Sequence, residues 1–348
     1  YEHFNITVDV LVIGGGIAGL EAARVAGSAG AQVLLIEQTA HWGGRAYVDA
    51  TLIDGADEEK WIEAPVGALE DMENVRLRPR VMGAGVYDHG YVLAYERQTD
   101  HDPQDGLPRH RLWKIRARQI VTATGAIERP LSFAGNDLPG VLLASAQRDY
   151  LINYGVSAGD RTVIVTNNDD AYRTALMLHN LGLEVKAVID ARAEANGPLP
   201  VAAREAGIRV ETGKAIAKVK GVARVEGVAI CSQVGEGAVL DEIACDVVAM
   251  SGGWSPVVHL WSHCGGKLVW DDAQAHFRPD PDKAPIGADG HAFVHTAGAA
   301  IGLLKSDEIL QNAYDAGADA AKAAGHKPKR GKAPTAASPD EAPIEPVW

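Results

Sequence analysis

Cysteine is scarce in this chain. Its 348 residues hold three, Cys231, Cys245 and Cys264. They are widely spaced and no C-x-x-C pair occurs, which argues against a disulfide framework, a zinc site and a redox dithiol. That usage fits a reducing compartment, so the expected location is cytoplasmic. Long apolar runs are also missing. No stretch reaches about 18 consecutive apolar residues, so no transmembrane helix or membrane partner is expected. No signal peptide is read. Basic charge is in deficit. The formal net charge is −13, and no basic cluster in the folded body offsets it, which argues against nucleic acid. His259 and His263 are four apart but lack a third ligand, so no metal site is predicted. No residue stands out as catalytic.

What the chain does contain is an ordinary globular composition, with 47% hydrophobic and 23% charged residues. The length suits two domains. One stretch organises them, VDVLVIGGGIAGLEAARVAGSAGAQVLLIE, Val8 to Glu37. Val8 to Ile13 reads as a buried parallel strand. Gly14, Gly16 and Gly19 follow in G-x-G-x-x-G spacing, Leu20 to Ala29 reads as a helix, and Val33 to Ile36 is a second strand ending in Glu37. Gly14 allows the tight turn, Gly16 the approach of a pyrophosphate, and Gly19 close helix–strand packing. The helix N-terminus offers N–H groups and a positive dipole end to phosphates. Glu37 can accept from a ribose 2′-OH and would repel a 2′-phosphate. Gly43 and Gly44 sit where such a fold turns back over the phosphates, and Arg45 is either a phosphate partner or an ordinary surface arginine.

Asp57 to Met72 is predicted helical. Val81 to Tyr87 and Tyr91 to Arg97 read as a hairpin closed by Asp88-His89-Gly90. Leu112 to Ile115 and Gln119 to Thr122 read as two strands, the second running into Ala123-Thr124-Gly125-Ala126. Ser145 to Tyr154 is a helix stopped by Gly155. Arg161 to Thr166, Ala171 to Leu181 and Glu184 to Ile189 form a second βαβ unit. Its turn is NNDDA, whose Asp169 and Asp170 oppose a pyrophosphate. Val201 to Ala206 reads as helical. Ile208 to Glu211, Ala215 to Val219, Val225 to Ile230 and Glu242 to Ala249 read as a meander. Ala292 to His295 is the expected last strand, and Ser306 to Ala324 a helix with Ser306 as N-cap. Residues 326–348 read as a polar linker or tail. Both ends look like cuts from a longer polypeptide.

GGGIAGL, WGGR, TATGAIERPLSFAGNDLPGVLLASAQRDYLINYG, VIVTNNDDAY, SGGWSPVVHL and HTAGAAIG, in this order, resemble the alpha subunits of heterotetrameric sarcosine oxidases. The resemblance runs over essentially the whole chain. It implies an α/β fold of two dinucleotide-binding, Rossmann-like domains of the FAD/NAD-linked reductase type, the second inserted in the first. The expected division is 1–140 with 265–325 for the NAD-binding domain and 141–264 for a second domain with a degenerate phosphate loop. The resemblance further implies noncovalent NAD in the first domain. FAD and FMN belong to a beta subunit that oxidises sarcosine, with the FMN near the alpha–beta interface. Small gamma and delta subunits complete the assembly, and tetrahydrofolate binds a domain that is not in this sequence. Carried onto matching positions, cofactor-binding falls to Gly14, Gly16, Ala18, Gly19, Glu37, Gln38, Gly43, Gly44, Arg45, Val81, Thr124, Gly125, Gly298 and Ala299. Ala299 departs from flavoproteins, which place an Asp there for the ribityl chain. Alpha subunits of amino-acid and opine dehydrogenases share part of the pattern. A self-contained FAD/NADH-dependent reductase and a noncatalytic scaffold are the other readings.

Overall fold

A computed structural model describes residues 2–49, 52–104, 106–337 and 344–347. The expected tail therefore lies partly outside the described residues. The chain divides into two compact units. Unit 1 takes Tyr1–Ala126, Pro256–Asp271 and His276–Ser338, and unit 2 takes Ile127–Ser255, Asp272–Ala275 and Pro339–Trp348.

In unit 1, β1 (Glu2–Ile13), β2 (Val33–Ile36) and β3 (Val75–Arg78) lie parallel, connected through α1 (Ile17–Ser28) and α2 (Glu58–Glu70). A meander follows in β4 (Val81–Tyr87), β5 (Tyr91–Arg97) and β6 (His110–Thr122). The sheet order is β3-β2-β1-β6-β5-β4, and strand Val294–Thr296 pairs in parallel with the end of β6. The two strands expected between Leu112 and Thr122 are one. β1 runs parallel beside all of it, from Glu2–Arg111 to Ile13–Thr122. β1 itself begins at Glu2, earlier than its apolar run suggests. The hairpin at Asp88-His89-Gly90 is present, with His89 at φ 58° and Gly90 at φ 65°. The alternation of β1 splits the core into two layers. Val10 and Val12 face Leu20, Ala23, Ile62 and Leu310, whereas Leu11 and Ile13 face Val81, Val86, Leu260 and Phe293. The helix Ser306–Ala323 carries Asp307 and Glu308 in its first turn, as expected. Ser306 is its first helical residue and Lys305 takes the cap position. The helix approaches α1 through small residues, because a Cβ on Gly317 would run into the backbone of Ala22.

In unit 2, β7 (Val141–Leu143), α3 (Ala144–Tyr154), β8 (Arg161–Thr166), α4 (Asp170–Asn180), β9 (Glu184–Asp190), α5 (Pro198–Glu205) and β10 (Val210–Thr212) follow in turn. Gly155 ends α3 at φ 63°, its N–H donating to Leu151 O. Then β11 (Lys214–Lys220), β12 (Gly227–Ser232) and β13 (Val239–Ala244) make an antiparallel sheet, before β14 (Val247–Ser251). The parallel sheet has the order β10-β9-β8-β14-β7. The expected strand Glu242 to Ala249 is therefore two strands in different sheets. The chain leaves the meander at buried Cys245, and Asp246 N–H donates to Arg161 O at the edge of β8 (3.0 Å), which starts the new pairing.

Candidate dinucleotide site

The glycine turn of unit 1 lies at the C-terminal end of β1, with β2 on one side and β6 on the other. That is the reversal of strand order at which open α/β sheets bind ligands. Gly14 sits at φ 109°, and a Cβ there would collide with Ala123 O. Its N–H donates to Ile36 O (2.9 Å), tying the turn to the end of β2. A Cβ on Gly19 would collide with Gly14 O, so α1 leaves the strand as closely as a backbone allows. Gly16 is the N-cap of α1, and no acid lies in the first helical turn. The orphan N–H groups and the dipole of α1 are therefore not opposed by an acid in the helix's own first turn.

Glu37 is buried, 8% exposed. Its Oε2 accepts from Gly15 N–H (2.7 Å) and its Oε1 from Thr39 N–H (2.7 Å). The acid thus fastens the glycine turn to the end of β2. Val81 N–H donates to Glu37 O (2.7 Å), which places Val81 against the same corner. Gln38 is exposed, and its carbonyl accepts from Arg97 Nη2 (2.7 Å). Arg80, at φ 62°, donates from Nε to Arg97 O (3.0 Å). These two arginines brace the corner, and no local motif marked them.

The Gly43–Gly44 turn docks on the glycine turn after β1. Gly43 N–H donates to Gly15 O (2.8 Å), Gly43 bridges Gly16, and a Cβ on Gly44 would lie 3.0 Å from Gly16 Cα. Arg45, partly buried, pairs with Asp49 along its own helical turn (2.9 Å). Trp42 opens the WGGR segment but is not among the expected cofactor-binding positions. Its ring lies on Gly15, and the only local signal is an indole beside two glycines. Beyond β6, Thr124 Oγ1 donates to Val257 O (2.9 Å) and Gly125 takes φ 74°. Gly298 takes φ 69°, and a Cβ there would lie 2.8 Å from Ala18 Cβ, so those two predicted positions meet. Gly298 N–H donates to Asn312 Oδ1 (2.8 Å), and Ala299 follows in the same 3-10 turn.

The equivalent turn of unit 2 is built differently. Asn167, Asn168, Asp169 and Asp170 are all buried. Asn168 Nδ2 donates to Ser251 O (3.2 Å) and Ser251 Oγ (3.0 Å), closing the turn onto the end of β14. Asp169 pairs with Arg192 (2.7 Å), which also holds Asp190 (2.7 Å). Asp170 pairs with the fully buried Arg148 (2.7 Å). Asn167 exchanges hydrogen bonds with Glu345, its Nδ2 donating to Glu345 O (2.8 Å) and its O accepting from Glu345 N–H (3.1 Å). The two acids of this turn are thus paired with arginines inside unit 2.

No disulfide forms among the described cysteines. Burial pushes the Cys245 thiol up to about 12 and the Cys264 thiol up to about 11, so neither is a ready thiolate. His259 and His263 share a five-residue helix, and no metal-ligating cluster occurs among the described residues.

Comparison with known proteins agrees with this architecture. The chain is similar to the alpha subunit of sarcosine oxidase from Corynebacterium sp. (strain P-1), 41% identical over the whole chain. It spans only 36% of that relative's length. It is 25% identical to an opine oxidase subunit of Agrobacterium tumefaciens (strain Ach5), over 86% of the chain and 63% of the relative. Among solved structures, L-proline dehydrogenase from P. horikoshii superposes with a TM-score of 0.69 at 22% identity, over 94% of this chain and 58% of that one. The family model of the pyridine nucleotide-disulphide oxidoreductases matches residues 8–274. The chain belongs to the pyridine nucleotide-disulphide oxidoreductase family.

Proposed function

We propose that this chain is the NAD-holding region of the alpha subunit of a flavin-dependent sarcosine oxidase, and that it does not itself oxidise the amine. The observation that carries this reading is the contrast between the two turns. Unit 1 has a glycine turn at the N-terminus of a helix with no acid in its first turn, with Glu37 beside it. Unit 2 has a turn closed by its own buried acids. One nucleotide site without a second, and without a cysteine pair among the described residues, does not make a self-contained reductase. When bound, NAD would supply a nicotinamide capable of hydride transfer. The residues that would hold it are Gly14, Gly16, Ala18 and Gly19 at the phosphates, Glu37 and Gln38 at the ribose, and Val81 at the adenine. Gly43, Gly44, Thr124, Gly125, Gly298 and Ala299 line the turns around them, with Arg45 at the rim. Ala299 has no side-chain acceptor for a flavin ribityl chain, which favours NAD over FAD.

In this reading sarcosine is demethylated to glycine, hydrogen peroxide and formaldehyde or methylene-tetrahydrofolate on partners in the cytoplasm. Those partners are a beta subunit with FAD and FMN, gamma and delta subunits, and a folate-binding domain. The likeness to the sarcosine oxidase alpha subunit supports this amine, and the weaker likeness to the opine oxidase subunit supports an opine as the alternative. Denaturing the purified protein and identifying the released nucleotide tests the cofactor. NAD at one equivalent is expected, and stoichiometric FAD overturns the assignment.

A further inference from the structure

In a G-x-G-x-x-G turn the residue between the first two glycines is not fixed by the phosphates. Here it is Gly15, and the structure requires glycine for another reason. A Cβ on Gly15 would collide with the six-membered ring of Trp42 and lie 2.9 Å from Glu37 Cβ. The indole therefore lies on the phosphate turn, beside the acid that faces the ribose. Trp42 is only partly buried and packs against the helical layer of unit 1. Its loop is fastened in place by Gly43 N–H on Gly15 O (2.8 Å). Gly15 is thus held at its N–H by Glu37, at its carbonyl by Gly43, and on its face by Trp42.

We infer that Trp42 is a nucleotide-positioning residue, forming the apolar wall of the ribose site against the adenosine-diphosphate half of a bound dinucleotide. An aromatic ring beside a carboxylate suits a ribose, which presents C–H groups to the ring and hydroxyls to the acid. The inference rests on the reading of unit 1 as a dinucleotide cradle. It applies to the half that NAD and FAD share, so it does not depend on which of them binds.

The test compares wild type, Trp42→Phe and Trp42→Ala in the nucleotide-free protein, with NAD and ADP-ribose as probes. Affinity is measured by calorimetry and indole emission by fluorescence. Trp42→Ala should weaken both probes by the same factor, about tenfold, because the contact lies on their common half. Trp42→Phe keeps a ring and should stay within about threefold. The chain has seven tryptophans, so the difference between wild type and Trp42→Phe isolates the Trp42 emission. That component should carry most of the quenching on binding. Wild-type affinity in Trp42→Ala, with full quenching kept in Trp42→Phe, overturns the inference and leaves the cradle standing. If Trp42→Ala fails to fold, the quenching arm decides alone. A wild type that takes neither probe overturns the cradle reading, and this inference with it.

Discussion

Two buried carboxylates, Glu37 and Glu128, occupy contrasting surroundings. Glu37 is held by two backbone N–H groups. Replacing it with Ala removes both an acceptor for the ribose and the tie that holds Gly15. Each lost charged hydrogen bond is worth about 1.5–3 kcal/mol. Glu37→Ala should therefore lose NAD during gel filtration where wild type retains it. Unchanged retention would mean that the ribose is read elsewhere. Glu128 is buried in unit 2 and accepts from Ser145 N–H at the start of α3 (2.9 Å). Burial, and then the nearby Asp170 charge, push its carboxyl above the ordinary 4.5. The folded state thus holds this proton more tightly than the unfolded chain. Its stabilising contribution is complete below the unfolded value and is lost as pH rises through the folded one. Glu128→Gln keeps an acceptor for Ser145 and removes the charge. The variant should melt higher than wild type at neutral and alkaline pH, with the gap closing as pH falls towards the ordinary glutamate value. Parallel melting curves across that range would sink this account.

At the scale of elements, the clearest case is the turn from β8 into α4. Read locally, NNDDA is an acidic turn without glycine, and that much was legible. That its charges are matched was not, because Arg148 comes from α3 and Arg192 lies beyond β9. Breaking a buried pair by removing one partner costs about 3–5 kcal/mol, since the remaining charge stays in low dielectric. Asp170→Ala should lower the stability of unit 2 by that order in urea unfolding. Adding Arg148→Met should recover most of the loss, because an apolar chain of similar length needs no counter-charge. A double variant as unstable as the single would show that the pair acts through packing rather than charge. The split of the expected strand Glu242 to Ala249 has a similar origin. The first half is mixed and mostly exposed and the second is buried, but it is the pairing of Val247–Ser251 with β8 and β7 that separates them.

For the whole molecule, the expectation is one dinucleotide per chain. Titration of the nucleotide-free protein with NAD and with NADPH should saturate at one equivalent of NAD, with NADPH adding none. A second equivalent of either would mean that the acidic turn of unit 2 opens. Much of this architecture was legible in the sequence. Short apolar runs, glycines at fixed offsets and the acid ending β2 are local signals, because strand burial, left-handed backbone and close approach each constrain the residue at that position. The alternating βαβ order likewise fixed the α/β class and the presence of two such units. The sequence by itself therefore determined where a glycine turn forms between β1 and α1 and that the second unit's turn lacks those glycines. Only the tertiary structure decided what each turn is fastened to. It set Trp42 on Gly15, tied Glu37 to the turn it faces, and gave Asp169 and Asp170 their arginines. Those contacts join residues that no local periodicity couples, and they exist only once the sheets have brought the ends of separate strands together.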